Sequence, residues 1–91
     1  MSKEDFIKNI QALHAYQKKV NQLEDILGVD VIEGFIGSII DCYGELILKS
    51  VIHCDIDNLP DAVFDKFWNT ILNNGDNPKA VEDLYKELKV L

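Results

Sequence analysis

A single hydrophobic stripe runs through the first 28 residues of this chain. Apolar side chains recur there in steps of four, three, three, four, three and four, at Phe6, Ile10, Leu13, Tyr16, Val20, Leu23 and Leu27. These steps have the period of an α-helix, so they predict one helix about seven turns long. Ser2, three residues before Asp5, predicts an N-cap, and Gly28 suits the backbone conformation that ends a helix. A helix of this length suits one arm of a long hairpin.

A second helix is expected to begin at Asp30, with Glu33 completing a capping box. The following segment is apolar around most of its circumference. Its polar exceptions share one narrow face, which consists of Glu33, Asp41, Glu45 and Lys49. We therefore expect a nearly buried central helix with one narrow solvent-exposed face.

Three glycines interrupt this second helix, at positions 34, 37 and 44. Each costs roughly 1 kcal/mol relative to alanine in a helix interior, so an offsetting gain is required. Close approach of a neighbouring helix is the first explanation and a kink is the second.

The run LILKSVIHC, within residues 46–56, has two interpretations. Val51 and Ile52 are β-branched, and an apolar run of this length does not distinguish a helix from a strand by periodicity. We favour a helix, because the rest of the chain offers no evident partner strand to receive the backbone hydrogen bonds.

Two shorter helices are predicted in the C-terminal third. The third helix starts at Pro60, with Asp57 or Asn58 as its cap, and stops at the sequence NNGDNP. Its inward-facing residues are predicted to be Val63, Phe64, Phe67, Trp68, Ile71 and Leu72. The fourth begins at Asn77 and Pro78, and its inward-facing residues are predicted to be Val81, Leu84, Tyr85 and Leu88.

These elements and the size of the chain predict the fold class. The chain has 91 residues, of which 47% are hydrophobic, so it can bury one core and is too short for two. We expect residues 1–91 to form a single all-α domain, a small bundle of about four helices.

The two cysteines and the N-terminus bear on the cellular compartment. Cys42 and Cys54 are too few for a disulfide framework and are expected to be reduced and mostly buried. The start, MSKEDFIKNI, is charged and lacks an export segment, and no apolar run approaches the roughly 18 residues that span a bilayer. These features predict a cytoplasmic protein with no membrane association.

The charge is unevenly distributed along the chain. Residues 20–65 contain ten carboxylates and one lysine, a net charge of −9, whereas the whole chain carries −7. No arginine is present, which removes the side chain best suited to clamping phosphate or reading guanine. Direct binding of nucleic acid is therefore not expected.

The stretch CDIDNLPDAVFDKFW, residues 54–68, raises the question of a metal site. Asp55, Asp57 and Asp61 match positions 1, 3 and 7 of a calcium-binding loop, but Pro60 takes the place of the turn glycine and Lys66 that of the bidentate glutamate. Zinc is disfavoured because Cys42, His53 and Cys54 lack a ligand spacing. We expect neither a metal nor a cofactor.

Catalysis is not expected either. Cys54 follows His53 directly, but neighbours in a helix point about 100 degrees apart, so the imidazole cannot activate the thiol. Asp41 and Glu45 lie one turn apart, and such pairs are usually a solvated stripe. A phosphate-binding glycine loop is also lacking, because Gly34 and Gly37 fall within a helical pattern. The sequence predicts a protein that is not an enzyme.

Most of the chain resembles a group of known proteins. The segments that carry the resemblance are EDFIKNIQALHAYQKKVNQLEDILGVDV, GELILKSV, FDKFWNTIL and AVEDLYKELK. They resemble small acidic accessory proteins of phages and prophages of low-GC Gram-positive bacteria. The resemblance implies a genomic setting in which compact acidic proteins act as inhibitors of host defence systems, anti-CRISPR proteins among them.

The charge pattern and this setting lead to one functional expectation. We expect a non-enzymatic inhibitor whose acidic helical surface blocks a basic, nucleic-acid-binding site on a host effector nuclease. One or two of the acids in residues 54–68 can serve as helix caps, and the others would form the surface. The predicted partner-binding residues are Asp41, Glu45, Asp55, Asp57, Asp61 and Asp65.

Two alternatives remain open. The apolar second helix would suit a self-associating structural or assembly protein, active as a homodimer. An acidic helical bundle would equally suit an immunity-type protein that neutralises a toxin.

Overall fold

The computed structural model describes residues 1–28 and 38–91, and within these residues the chain forms four α-helices and no strand. We number them α1 (Lys3–Leu27), α2 (Ser38–Lys49), α3 (Asp61–Asn69) and α4 (Pro78–Lys89). A 3₁₀ turn, Ile56–Asn58, precedes α3, and a π turn, Thr70–Asn74, follows it. The predicted all-α bundle is confirmed.

Helix α1 has the predicted ends. The Ser2 hydroxyl accepts a hydrogen bond from the backbone N–H of Asp5 at 3.2 Å, and Gly28 has a φ of +92°. Phe6, Ile10, Leu13 and Val20 of its predicted stripe are buried, whereas Leu23 and Leu27 expose 40% and 57% of their surface. The stripe therefore enters the core only within its first five turns, and even there Tyr16 is 38% exposed.

Helix α2 corrects the expectation of a nearly buried helix. Its Ile40, Ile47 and Leu48 are buried, but Ile39, Tyr43 and Leu46 expose 52%, 53% and 63% of their surface. The exposed residues lie on a second apolar face that no described element covers. The predicted start at Asp30, the capping box with Glu33, and Gly34 and Gly37 lie outside the described residues.

Close packing accounts for Gly44, one of the three glycines in the predicted second helix. A Cβ at this position would meet the indole ring of Trp68, with Cζ2 and Cζ3 only 3.0 Å away. The bare backbone of α2 thus forms the seat for Trp68, as the first explanation predicted. Trp68 is half-buried and packs against the core, and its ring lies edge-on to Phe67 at 5.4 Å between centroids.

The segment between α2 and α3 is neither one continuous helix nor a strand. Helix α2 ends at Lys49, and the chain then turns through residues 50–54 into the 3₁₀ turn. Val51 and Ile52 are buried in the core despite lying past the helix end. The helical interpretation of residues 46–56 is therefore correct only up to Lys49.

The start of α3 differs from the prediction. Pro60 occupies the N-cap position with an extended backbone, φ −60° and ψ 142°, and no side chain caps this helix. Neither Asp57 nor Asn58 serves as its cap. Asp55 instead caps the 3₁₀ turn, accepting a hydrogen bond from the Asp57 N–H at 3.4 Å. Leu72, predicted to be in the core, is 49% exposed.

Helix α4 matches its prediction closely. The Asn77 side chain accepts hydrogen bonds from the backbone N–H groups of Lys79 and Ala80, and Pro78 occupies the first turn. All four predicted inward residues are buried, with Val81, Leu84 and Leu88 completely so. Tyr85 packs on Phe6 at 5.3 Å between ring centroids and donates a hydrogen bond to the Met1 carbonyl.

His14 connects α1 to the π turn. Its Nδ1 donates a hydrogen bond to the Ile71 carbonyl at 2.6 Å, while Nε2 is buried without a hydrogen-bond partner and lies 3.9 Å from an Asp76 carboxylate oxygen. Gly75 contacts the ring closely, since a Cβ there would overlap the His14 side chain. The central part of α1 is thereby fixed in the bundle.

Candidate functional site

The six acids predicted to bind a partner come from three consecutive elements. Asp41 and Glu45 lie on α2, Asp55 and Asp57 lie at the 3₁₀ turn, and Asp61 and Asp65 lie on α3. All six side chains are exposed. We refer to these six residues as the acidic surface.

The contact between Trp68 and Gly44 relates the two helices of the acidic surface. Asp61 and Asp65 precede Trp68 by seven and three residues, so all three lie along one side of α3. On α2, Asp41 and Glu45 are three residues before and one residue after Gly44. The two acid pairs therefore border one interhelical contact, from α3 and from α2.

The acids of the loop are held by apolar anchors. Leu59, directly after the 3₁₀ turn, is buried, and Ile56 and Cys54 are half-buried against the core. Asp55 and Asp57 alternate with these anchors and are exposed. The anchors restrict the backbone that carries the two carboxylates, so less conformational freedom of the loop is lost when a partner binds.

The charges of the acidic surface are not neutralised by the described part of the chain. The salt bridges described there are Lys3–Glu82, Lys86–Glu82, Lys66–Glu87 and the contact of His14 with Asp76, so none involves the six acids. Lys66 follows Asp65 directly, yet its ammonium group pairs with Glu87 on α4. Asp65 is exposed, and the lysine next to it in the sequence does not pair with it.

Only one of the six acids has a structural role in the described hydrogen-bond network. That acid is Asp55, through its contact with the Asp57 N–H. Asp61 lies in the first turn of α3, where the helix dipole favours a negative charge. The side chains of Asp41, Glu45, Asp57 and Asp65 form no described hydrogen bond to the fold, so most of the acidic surface is not required for capping.

The described residues offer little for metal or thiol chemistry. Within residues 1–28 and 38–91, no three His, Cys, Asp or Glu side chains come close enough to hold a metal ion. Both cysteines are free; Cys54 is half-buried, and Cys42 is exposed, which corrects the prediction that it is mostly buried. His53 is exposed, and no hydrogen bond between it and Cys54 is described.

A groove between α1 and α2 was not predicted from the sequence. Its volume is about 310 Å³, and it is lined by Asn9, Ala12, Leu13, Tyr16, Ile39 and Tyr43. A sequence signal existed, because α2 has apolar residues on two faces. The sequence nevertheless predicts that both faces are in the core, because periodicity does not reveal how many neighbours a helix has.

Comparison with protein-family models, with characterised proteins and with solved structures gives no match for this chain. No helix in the part of the chain that the structure describes combines the length and hydrophobicity needed to cross a bilayer.

Proposed function

We propose that this protein is a non-enzymatic inhibitor that uses the acidic surface to bind a basic, nucleic-acid-binding site on a host effector nuclease, in the manner of phage-encoded anti-CRISPR proteins. It would act in the host cytoplasm. The observation that carries the proposal is the exposure of all six carboxylates without a salt bridge to a described lysine.

The physical basis is electrostatic complementarity. An effector nuclease holds its guide and target strands in a positively charged channel. A dense group of carboxylates is attracted to such a channel over several ångströms and competes with nucleic-acid phosphates for the same lysines and arginines. With one cation among residues 20–65, this part of the chain presents little charge that would repel the channel.

Rigidity of the frame supports binding as well. The acids lie on helices joined by the Trp68–Gly44 contact and on a loop anchored by Leu59. Few degrees of freedom are then lost when the partner binds, which favours tight association.

Charge reversal tests the proposal directly. The triple variant Asp57→Lys, Asp61→Lys, Asp65→Lys is expected to abolish binding to the effector. A matched control, Glu4→Lys, Asp25→Lys, Asp83→Lys, changes the net charge equally at exposed acids outside the acidic surface. Circular dichroism should show nearly unchanged helical content for both variants, because none of these six side chains forms a described salt bridge or accepts a described hydrogen bond through its carboxylate.

The measurement is target cleavage by purified RNA-guided nucleases from Gram-positive bacteria, at low and at high salt. The proposal expects inhibition by the native protein and by the control, loss of inhibition in the triple variant, and weaker inhibition at high salt. It is wrong if no nuclease in the panel is bound or inhibited in a salt-sensitive way, or if the two variants behave alike.

A further inference from the structure

His14 is buried, although an imidazole gains and loses a proton between about pH 5 and pH 8. Its Nδ1 lies 2.6 Å from the Ile71 carbonyl oxygen. Because a carbonyl oxygen can only accept a hydrogen bond, Nδ1 carries a proton in the neutral ring as well as in the charged ring. The proton that His14 exchanges with solvent is therefore the one on Nε2.

Nε2 is the unpaired atom of this ring. It is buried and has no hydrogen-bond partner in the described structure. A buried polar atom without a partner costs free energy, and the cost rises when the atom belongs to a charged group. An Asp76 carboxylate oxygen lies 3.9 Å away, just beyond hydrogen-bond distance. The Asp76 side chain is 67% exposed, so it can rotate towards Nε2 without repacking the core.

Gly75 positions Asp76 beside the ring. A Cβ at Gly75 would overlap the His14 side chain, so the backbone directly before Asp76 touches α1. The residue after Asp76 is Asn77, whose side chain caps α4. The backbone on both sides of Asp76 is thus held in place, and its carboxylate needs only a side-chain rotation to reach Nε2.

The other elements packed against α1 place no described ion pair at His14. The π turn contains no charged side chain. The charged residues of α2 and α4 are exposed or half-buried, and no described salt bridge joins any of them to His14. These residues are Asp41, Glu45 and Lys49 on α2, and Lys79, Glu82, Asp83, Lys86, Glu87 and Lys89 on α4.

Two further titratable groups complete the surroundings of His14. Tyr85 is on the buried face of α4, and its hydroxyl donates a hydrogen bond to the Met1 carbonyl. Lys18 follows His14 by one turn of α1 and is exposed, so solvent screens its repulsion of a charged imidazole. Asp76 is therefore the acid available to a protonated Nε2.

We propose that His14 and Asp76 form a pH-dependent latch, in which the protonated Nε2 donates a hydrogen bond to the Asp76 carboxylate and fixes residues 70–77 to α1. These residues comprise the π turn and the loop that leads to α4. The latch is independent of the proposed inhibitory function, because neither residue belongs to the acidic surface.

The sign of the pH effect follows from the number of donors and acceptors. The charged imidazole has two N–H donors, and the Ile71 carbonyl and the Asp76 carboxylate supply two acceptors. These charge-assisted hydrogen bonds offset the cost of burying the charge. An aspartate side chain is ionised throughout the range in which an imidazole titrates. The contribution of Asp76 to stability is therefore present at about pH 5.5 and is lost as the pH rises and Nε2 gives up its proton.

Thermal unfolding at two pH values tests the latch with a matched pair of variants. Asp76→Ala should melt about 2 to 6 °C below the native chain at about pH 5.5, and within about 1 °C of it at about pH 8.5. Asp83→Ala is the control, because it removes an exposed acid that forms no described salt bridge. An effect of Asp76→Ala that is equal at the two pH values overturns the proposal, as does the same pH dependence in Asp83→Ala.

Substitution of the imidazole shows whether Asp76 acts through His14. Glutamine at position 14 retains an N–H donor for the Ile71 carbonyl but does not titrate. In the His14→Gln background, Asp76→Ala is expected to change the melting temperature equally at both pH values. A difference that persists between the two pH values would assign the pH dependence to another group and overturn the latch.

Nuclear magnetic resonance of the native chain tests the latch without a change in the core. Nitrogen-15 shifts of the His14 ring should show a proton on Nδ1 alone at about pH 8.5 and on both nitrogens at about pH 5.5. Amide exchange in residues 70–77 should be slower in the native chain than in Asp76→Ala at the lower pH, and equal at the higher pH. A neutral ring protonated on Nε2, or equal exchange at the lower pH, overturns the proposal.

Discussion

Helices α2 and α4 have the same length, twelve residues each, but they relate differently to the core. On α4, Val81, Leu84, Tyr85 and Leu88 are all buried, and the remaining surface of the helix is mostly polar. On α2, one apolar row is buried and the apolar row of Ile39, Tyr43 and Leu46 is not. Helix α4 therefore buries its hydrophobic face within the described chain, whereas α2 keeps part of its apolar surface exposed.

This contrast shows that burial depends on the neighbours of a helix as well as on its composition. Helix α4 packs against α1, α3 and the π turn. Helix α2 packs along α1 and receives Trp68 from α3 at Gly44. The difference can be tested by substitutions that act on one helix and not on the other.

The largest effect is expected from truncating a core leucine of α4. Leu84→Ala should lower the free energy of unfolding by about 2 to 5 kcal/mol, because Leu84 is completely buried and its removal leaves a cavity. Leu46→Ala on α2 should change it by less than about 1 kcal/mol. Urea unfolding followed by circular dichroism measures both variants. Similar losses for the two variants would show that Leu46 is part of the monomer core.

A smaller effect is expected at the seat of Trp68. Gly44→Ala gains about 1 kcal/mol of helix propensity, but the new methyl group overlaps an indole ring already packed against Phe67. Overpacking of this kind costs about 1 to 3 kcal/mol, so we expect a net loss of about 1 kcal/mol.

Trp68→Leu supplies the matching control for Gly44→Ala. It removes the overlapping ring, so Gly44→Ala should be neutral or stabilising in that background. A double-mutant cycle from thermal unfolding measures the coupling. Additive effects would mean that Gly44 does not seat the indole.

The smallest effect concerns the charge cluster that joins α1 to α4. Glu82 lies 3.4 Å from the Lys86 ammonium and 3.5 Å from that of Lys3. The hydrogen bond from Lys86, with the charges of Lys3 and Lys86, holds the pKa of Glu82 below its ordinary value. A carboxyl group with a lowered pKa in the fold stabilises it above the pKa of the unfolded chain and loses that contribution as the pH falls through the folded value.

Stability measured across the acidic range checks this prediction. The native chain should lose slightly more stability than Glu82→Gln on going from neutral pH to below pH of about 4. Asp83→Asn is the control, because Asp83 is exposed and forms no described salt bridge. A difference between Glu82→Gln and the native chain that does not change with pH would contradict the role of the cluster.

Local signals in the sequence were sufficient for much of the fold. Ser2 and Asn77 cap their helices as predicted, because capping requires only a side chain and the amides two or three residues ahead. The four inward positions of α4 followed from the helical period alone. The exposure of the acids was predictable as well, since a carboxylate without a partner is costly to bury.

Non-local contacts account for the failures. Asp57 had a capping residue's chemistry, yet the loop ends at Pro60, where the extended backbone starts α3 without a side-chain cap. Cys42 and Leu46 lie in an apolar run. The sequence of this run does not indicate how many faces of α2 pack against a neighbouring element. Gly75 lies in the sequence NNGDNP, where the third helix is predicted to stop. Its φ of −63° is not the left-handed value of a helix-ending glycine, and its lack of a side chain instead allows the close contact with His14 on α1.

The amino-acid sequence by itself determined an all-α domain, the ends of α1 and α4, and an excess of negative charge in the middle of the chain, because these depend on periodicity, capping and composition. The tertiary structure decided that the two acid pairs of α2 and α3 border the Trp68–Gly44 contact, that no described salt bridge joins the six acids to a lysine, and that Ile39, Tyr43 and Leu46 of α2 remain exposed beside a groove. Those features depend on which residues, distant in sequence, fill the space around each helix, and this is a property of the packed chain as a whole.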